Sequence, residues 1–499
     1  NSSAASDVYK RQIIGSLVFS FSGFAVAWSQ YNVHGWTMAF LPLMLSFIDK
    51  YFESKNQFWL PLLSFAIALQ VFSGYVPLVI YSWLVIGLSL VFQKRLFKPG
   101  FLKLAIFVFI GFGLSSIQLL PGVELIARSI RKVDPSAINN NVGFLPPKNL
   151  ITLAIPNFFG NPATGNFWGI GFYDNFANWV GIIPLLLAVV MMINFGKRQE
   201  IALYLAIIGL GLVLSIKNPV GQLLSKMLFL EGGIAARAVF LVCFALSVLS
   251  ALGLDFVLRN FKKVKKQLLV VGLVLGLVLF GLAGLIFVNL DSRAYKQIAL
   301  RNSVVSVSSL VLLMVFVFTA VFIKRLKVFF GPLVLFLIVF NLWYPANKYW
   351  SFTREDLVFP TTPVIDFLKN DNEVFRFEPD QVIPQNMWMP YGLEAVSGYD
   401  TLMPKRQGEF ISLVKNGVIS GQISRVHLMD NYDLNLFPVL NVKYILAKKI
   451  TDEGGFSPKG QVRETFNNPR FDLVFDDKTV SVYQDKNYLP RIWAVDQVN

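Results

Sequence analysis

Long apolar runs alternate with short polar or basic breaks along the first 350 residues of the chain. Runs such as 101–121, 267–290 and 304–323 have the length of roughly 20 residues that a helix needs to cross a hydrocarbon core of about 30 Å. The pattern therefore predicts a mainly α, polytopic transmembrane helical bundle of about eleven spans. The predicted spans are 13–28, 36–49, 57–72, 76–93, 103–121, 178–196, 199–216, 236–258, 267–290, 304–323 and 328–346.

Composition excludes a soluble single-domain protein. The chain is 55% hydrophobic and 15% charged, with a mean hydropathy of +0.56, whereas about 25% of the residues of an ordinary soluble domain are charged. The net charge of +15 does not indicate nucleic-acid binding, because lysines and arginines cluster in alternate short loops of the predicted bundle. Such clusters mark cytoplasmic loops. These basic loops are at 50–55, 94–98, 197–198, 259–266 and 324–327.

This orientation predicts two large pieces on the extracytoplasmic face, the loop 122–177 and the tail 347–499. Residues 350–499 carry 16 Lys/Arg against 20 Asp/Glu, whereas residues 1–349 carry 29 against 10. We expect a transmembrane domain over 13–346 followed by an extracytoplasmic α+β domain. Strands are predicted in the tail at 374–377, 442–446, 471–475 and 480–483, with a helix near 406–415.

The first twelve residues are small, polar and basic, unlike those that follow. We expect them to be a non-native prefix on an amino-terminally truncated chain. Cys243 is the only cysteine, and the two histidines are His34 and His427. The sequence thus predicts neither a disulfide framework nor a metal site built on cysteine or histidine.

A pair of arginines, Arg128 and Arg131, and the single Arg237 are candidates for binding a lipid phosphate. Glu124, Arg128 and Arg131 recur at helical spacing beyond a predicted span, and paired guanidinium groups bind phosphate well. A Glu–Arg helix pair with snorkelling arginines is the alternative. Arg237 begins a span on the predicted outer side, where positive charge is scarce, and adds its charge to the helix dipole.

The loop 146–178 is dense in aromatic and amide side chains. Rings can stack on the C–H faces of a sugar while amides and carboxylates bind its hydroxyls, so Asn157, Trp168, Tyr173 and Asp174 are candidate contacts. An interfacial aromatic belt with turn-forming asparagines is the alternative.

Three further residues outside this loop are candidates. His34 is a candidate proton carrier or an interfacial polar residue. Tyr399 and Asp400 are candidates for acceptor contact or members of an ion-paired surface loop.

Several segments, taken in order, resemble the YfhO family of bacterial membrane proteins, large relatives of the GT-C glycosyltransferases. The likeness extends from about residue 13 to the end of the chain. It is carried by FSGFAVAW at 21–28, QLLP at 118–121, Glu124, SIR at 129–131, PNFFG at 156–160, Arg237, ALSVLSALGLD at 245–255, GYD at 398–400, VKYI at 442–445 and YLPR at 488–491.

The resemblance implies a GT-C-like fold in a bacterial plasma membrane. It also implies transfer of a sugar from a polyprenyl-phosphate carrier to a cell-envelope acceptor outside the membrane, sometimes with a divalent metal. The catalytic acid of such enzymes lies in the first outer loop, which we expect upstream of this chain, so no catalytic residue is named. Arg237, Arg128 and Arg131 suit the leaving phosphate. The expected sugar or acceptor contacts are Glu124, His34, Asn157, Trp168, Tyr173, Asp174, Tyr399 and Asp400.

Two other functions fit the same pattern. A non-catalytic transporter or flippase of lipid-linked sugars would also need arginines that bind phosphate, but no catalytic acid. An envelope assembly protein would instead bind a protein partner through its tail.

Overall fold

A computed structural model describes residues 12–130, 143–194, 196, 199–228, 230, 234–419, 423–429, 431–432, 436–451, 457–458 and 460–494. The protein is mainly helical, with 66% helix and a few strands. It divides into two compact units. Residues 1–120 and 141–351 form the first, here called the membrane unit, and residues 121–140 and 352–499 form the second, the tail unit.

A described helix lies within every apolar run that was predicted as a span. A further helix lies within 217–235, between two predicted spans, where the sequence predicts only a loop. The helices of this part of the chain are α1 Gln12–Ser20, α2 Gly23–Trp28, α3 Val33–Ser54, α4 Trp59–Phe72, α5 Val76–Phe92, α6 Phe101–Leu114, α7 Ser116–Arg128, α8 Tyr173–Phe176, α9 Ile182–Ile193, α10 Gln199–Ser215, α11 Pro219–Met227, α12 Val239–Val288, α13 Arg293–Phe322 and α14 Phe330–Tyr349.

Three of the described helical stretches are long and apolar enough to cross a membrane on their own: Ala235–Val288, Arg293–Phe322 and Arg325–Tyr349. The number rises to six if each bent pair forms one span. These pairs are α1 with α2 and its 3₁₀ extension, α6 with α7, and α10 with α11, bent by 50°, 63° and 93°. Length and apolarity thus support three to six spans.

The 50-residue helix α12 doubles back on itself. A straight helix of this length would extend about 75 Å, yet its two ends reach the same loop: Arg237 contacts Asn175, and the Phe287 ring stacks 5.9 Å from that of Phe158. The backbone leaves helical geometry at Asn260. The stretch therefore consists of two arms that meet near the basic segment 259–266.

Loops that the charge pattern predicts to be cytoplasmic lie close to one another. Arg95 Nη1 lies 2.5 Å from a carboxylate oxygen of Asp49, which joins the ends of α3 and α5. Asn194 donates to Gln267 at 3.0 Å, which joins α9 to the second arm of α12. Each contact joins two segments that the charge pattern predicts on the same side of the membrane, and the side itself stays a prediction.

The break between α1 and α2 is fixed by close packing on Trp179. The Gly23 amide donates to the Trp179 carbonyl at 2.7 Å, and the indole N–H of Trp179 donates to the Phe21 carbonyl at 3.1 Å. A Cβ at Gly23 would lie only 2.5 Å from the indole. Glycine is therefore required where the chain turns, and the turn directs α2 toward the polar cluster described below.

The tail unit is built around a four-stranded sheet in the order β1-β4-β6-β5, in which β1 and β4 are parallel and the other pairs antiparallel. One face packs against helix α15 (Pro363–Lys369) and the other against α16 (Lys405–Asn416) together with Ile130. Strands and a helix are present at all five positions predicted for the tail. The strands are β1 Arg376–Glu378, β2 Gly398–Tyr399, β3 Val426–His427, β4 Val442–Lys448, β5 Phe471–Asp476 and β6 Val480–Asp485.

Candidate functional site

Arg237 is held by uncharged groups in the membrane unit. It lies in a 3₁₀ turn, Ala235–Ala238, directly before α12. Its Nε donates to Asn175 Oδ1 at 3.1 Å and its Nη1 to the Tyr75 hydroxyl at 2.5 Å. A guanidinium group has five N–H donors, and the others have no hydrogen-bond partner among the described residues. The cation is thus fixed in orientation and has donors available for a ligand.

Aromatic rings form a wall beside this guanidinium. Its Cζ lies 4.2 Å from the centroid of the Trp28 ring, a distance at which a cation is attracted to the face of an indole. The His34 ring stacks between Trp28 and Tyr75, with centroid separations of 3.9 and 4.0 Å. Neither nitrogen of the buried His34 has a hydrogen-bond partner among the described residues. The structure therefore brings two candidates, His34 and Arg237, into one cluster.

Asp174 lies at the edge of the same cluster, next to Asn175. Burial raises the pKa of its carboxyl group, while the Arg237 charge and a hydrogen bond from Tyr31 act in the opposite direction. A partly buried carboxylate near a cation can accept a hydroxyl proton or bind sugar hydroxyls. The expectation that Asp174 contacts a sugar is thus compatible with its surroundings.

Asn157 and Tyr173 are bound to each other inside the loop. The Tyr173 hydroxyl donates to Asn157 Oδ1, and the Asn157 carbonyl accepts from Asn302 at 2.6 Å. Trp168 stacks on Tyr295 with ring centroids 5.3 Å apart. These contacts give the side chains a role in shaping the loop, and sugar contact by them remains a prediction.

Glu124 and Arg128 form an ion pair in α7, with Arg128 Nη2 3.0 Å from Glu124 Oε1. Both side chains are exposed, at 59% and 77%. This is the Glu–Arg helix pair predicted as the alternative to phosphate binding. Arg131 lies outside the described residues. Phosphate binding by this group remains a prediction.

Tyr399 and Asp400 lie in the tail unit, at the end of β2. The Asp400 carboxylate accepts from the Leu402 amide at 2.8 Å and closes a turn. The Tyr399 backbone pairs with the side chain of Asn386, and its own side chain is 41% exposed. Asp400 therefore has a local structural role, whereas the Tyr399 ring is accessible.

Sequence reasoning did not identify Tyr75, Asn175, Trp28 or Tyr31 as members of this cluster. The one feature of the sequence that these four residues share is their place: each lies in or borders a loop that the charge pattern predicts to be extracytoplasmic. Among the described residues, no group of three or more His, Cys, Asp or Glu side chains could hold a metal ion. The structure therefore names no ligands for the divalent metal that the resemblance implies.

The apolar helices and the polar cluster together define a membrane protein. A family model described as "Bacterial membrane protein YfhO" matches residues 4–498, nearly the whole chain, so the chain belongs to the YfhO family. The match includes part of the segment 1–12 that we expected to be a non-native prefix. Comparison with curated proteins and with solved structures gave no match.

Proposed function

We propose that this protein transfers a sugar from a polyprenyl-phosphate carrier to a cell-envelope glycopolymer or lipid on the extracytoplasmic face of the membrane. The observation that carries the proposal is Arg237, whose Nε and Nη1 are fixed by Asn175 and Tyr75. Its other donors have no partner among the described residues. A preorganised cation of this kind suits the negative charge that develops on a departing lipid phosphate.

The proposal includes the predicted topology of eleven spans, with basic loops in the cytoplasm and the tail outside. Support comes from the origin of the cluster. Tyr31, Tyr75 and Asn175 come from three separate predicted outer loops and lie together with Arg237, which begins a span beside a fourth. A polyprenyl-phosphate donor carries its phosphate at the membrane surface, where such a cluster can bind it.

In the proposed reaction an acceptor hydroxyl attacks the anomeric carbon of the donor sugar. The bond from that carbon to the phosphate oxygen breaks, and the phosphate leaves with the electron pair. Arg237 stabilises the phosphate, while a carboxylate takes the hydroxyl proton. Asp174 contributes sugar or acceptor contacts near Arg237.

A transfer assay tests the proposal. Bacterial membranes containing the protein are supplied with radiolabelled polyprenyl-phosphate sugars, and wild type is compared with Arg237→Ala and with Arg259→Ala. Arg259 is a matched control because it forms an i,i+4 pair with Asp255 in a predicted cytoplasmic segment. We expect label in an envelope polymer for wild type and the control, and its loss in Arg237→Ala. Labelled lipid that crosses the bilayer without transfer would instead favour the flippase.

A further inference from the structure

Helix α11 meets α10 at nearly a right angle. The two axes differ by 93°. Asn218 caps the second helix by accepting from the Gly221 amide at 2.7 Å, and its Nδ2 donates to the Val213 carbonyl at 2.6 Å. A Cβ at Gly221 would lie 2.0 Å from that same carbonyl oxygen. The corner thus depends on specific contacts, and α11 cannot continue the direction of α10.

The surface of α11 has three distinct faces. At 3.6 residues per turn, Val220, Leu223 and Met227 share one face, and they are 60%, 59% and 67% exposed. Gln222 and Lys226 are exposed on a second face. The third face meets the membrane unit through buried Gly221 and through Leu224 and Leu228, which pack against the core.

These faces match a helix that lies in the interface of a membrane. If α10 crosses the bilayer, a helix at 93° to it runs nearly parallel to the membrane plane, at the depth where α10 ends. An amphipathic helix in that position buries its apolar face at the boundary between headgroups and acyl chains and turns its polar face to water. Lysine near this boundary extends toward lipid phosphates.

We propose that α11 is an interfacial helix that docks on the lipid surface through Val220, Leu223 and Met227. Its occupant is the phospholipid leaflet on the side of Arg237, because the exposed apolar face continues directly from a helix of the apolar bundle. Arg237 follows Met227 by ten residues. The proposal thus puts α11 and Arg237 at the same surface of the membrane.

Depth-dependent fluorescence quenching tests this docking. A bimane label is placed at Leu223→Cys or at Gln222→Cys after the buried Cys243 is replaced by alanine, and the full chain is reconstituted in phosphatidylcholine–phosphatidylglycerol vesicles. Phe280→Cys, at a position 79% exposed in the second arm of α12, is the reference for deep exposure. Three quenchers are used: a lipid with a spin label near the headgroup (shallow), a lipid with a spin label near the chain end (deep), and aqueous iodide.

We expect the Leu223 label to be quenched about twofold more by the shallow spin label than by the deep one, and the Gln222 label to respond mainly to iodide. The label at Phe280→Cys should be quenched more strongly by the deep spin label than by the shallow one. Iodide quenching of the Leu223 label equal to that of the Gln222 label would overturn the proposal, as would protection of the Leu223 label from every quencher, which would place it against a second copy of the chain. Deep quenching at Leu223 would also overturn it, because α11 would then enter the hydrocarbon core.

Met227→Cys provides a second position on the same face in case Leu223→Cys does not fold. Folding of each labelled protein is checked by its elution as a single species from a sizing column in detergent. Sugar transfer plays no part in this readout. Failure of the docking proposal and failure of the proposed function can therefore be told apart.

Discussion

In the tail unit, buried cations are matched by carboxylates. Arg470 reaches the fully buried Asp485 through Nε and Nη2 at 2.7 and 2.5 Å, and Lys443 lies 2.6 Å from a carboxylate oxygen of Asp371. In the membrane unit, Arg95 is paired with Asp49 in the same way, whereas Arg237 is held by an amide, a phenol and an indole. A cation that is paired with a buried carboxylate serves the fold, whereas a cation held by neutral groups keeps charge and donors for a ligand.

Breaking a tail pair should produce the largest effect on stability. Arg470→Ala leaves the Asp485 carboxylate buried without its partner, which should lower the free energy of unfolding of the tail unit by about 3–5 kcal/mol. Hydrogen exchange of β5 and β6 in the detergent-solubilised full chain measures this loss. Lys486→Ala is the control, because its pair with Asp472 is half exposed and should contribute less than about 1 kcal/mol. Equal losses in both variants would refute the distinction between buried and exposed pairs.

The second largest effect concerns activity. Arg237→Lys keeps the charge but lacks the planar fork that reaches Asn175 and Tyr75, so transfer should fall on the order of 100-fold, nearly as far as in Arg237→Ala. The measurement is kcat/KM for a polyprenyl-phosphate sugar. Arg259→Lys, in an exposed helix pair, should stay within about twofold of wild type. Full activity of Arg237→Lys would mean that positive charge alone suffices and that the hydrogen bonds to Asn175 and Tyr75 have no role in transfer.

The buried carboxyl group of Glu378 should make the stability of the tail unit depend on pH. This carboxyl accepts from Ser397 and from the Asp380 amide, but burial outweighs these bonds and raises its pKa from near 4.5 to about 8. Between these values the folded tail binds a proton that the unfolded chain has released. Stability of the tail should therefore fall as pH rises through this window, on the order of 1 kcal/mol per pH unit.

Glu378→Gln should flatten this dependence. The test is the hydrogen-exchange protection of β1 and β4, corrected for the intrinsic exchange rate, across the same pH range in both proteins. An unchanged slope in the variant would assign the pH dependence to other groups.

The smallest expected effect is at the exposed pair of α7. Arg128→Ala removes one i,i+4 partner of Glu124, so the free energy of unfolding should change by less than about 0.5 kcal/mol. The KM for the lipid-phosphate donor should rise less than about threefold, because screening by water weakens an exposed guanidinium. A tenfold rise in KM would instead assign Arg128 to the phosphate site and weaken the distinction drawn for Arg237.

Much of the secondary structure could be predicted from the sequence, because apolar runs long enough for helices are strong local signals. The tail strands around Val442 and Val480 were also predictable, since β-branched residues lie between turn formers. The corner between α10 and α11 at Asn218 could not be predicted, because the segment 217–235 contains only one short apolar face. The reversal of α12 at Asn260 could be predicted from the basic segment 259–266, although its backbone stays almost entirely helical.

The candidate site was predictable only in parts. Arg237 was singled out because positive charge is scarce on the predicted outer side, and His34 and Asp174 were named for their chemistry. The contact of Arg237 with Tyr75 depends on tertiary packing between positions 162 residues apart in the sequence. A tyrosine in a short turn carries no local signal of that contact.

Binding of a lipid phosphate tests the central claim most directly. Affinities of the purified protein are measured in detergent for a short-chain polyprenyl phosphate and for the matching polyprenol, with wild type and Arg237→Gln. We predict that the substitution weakens phosphate binding on the order of 100-fold and leaves polyprenol binding unchanged, because only the phosphate meets the guanidinium donors. Equal affinity of both proteins for the polyprenyl phosphate would contradict the assignment of Arg237 as the group that binds the lipid phosphate.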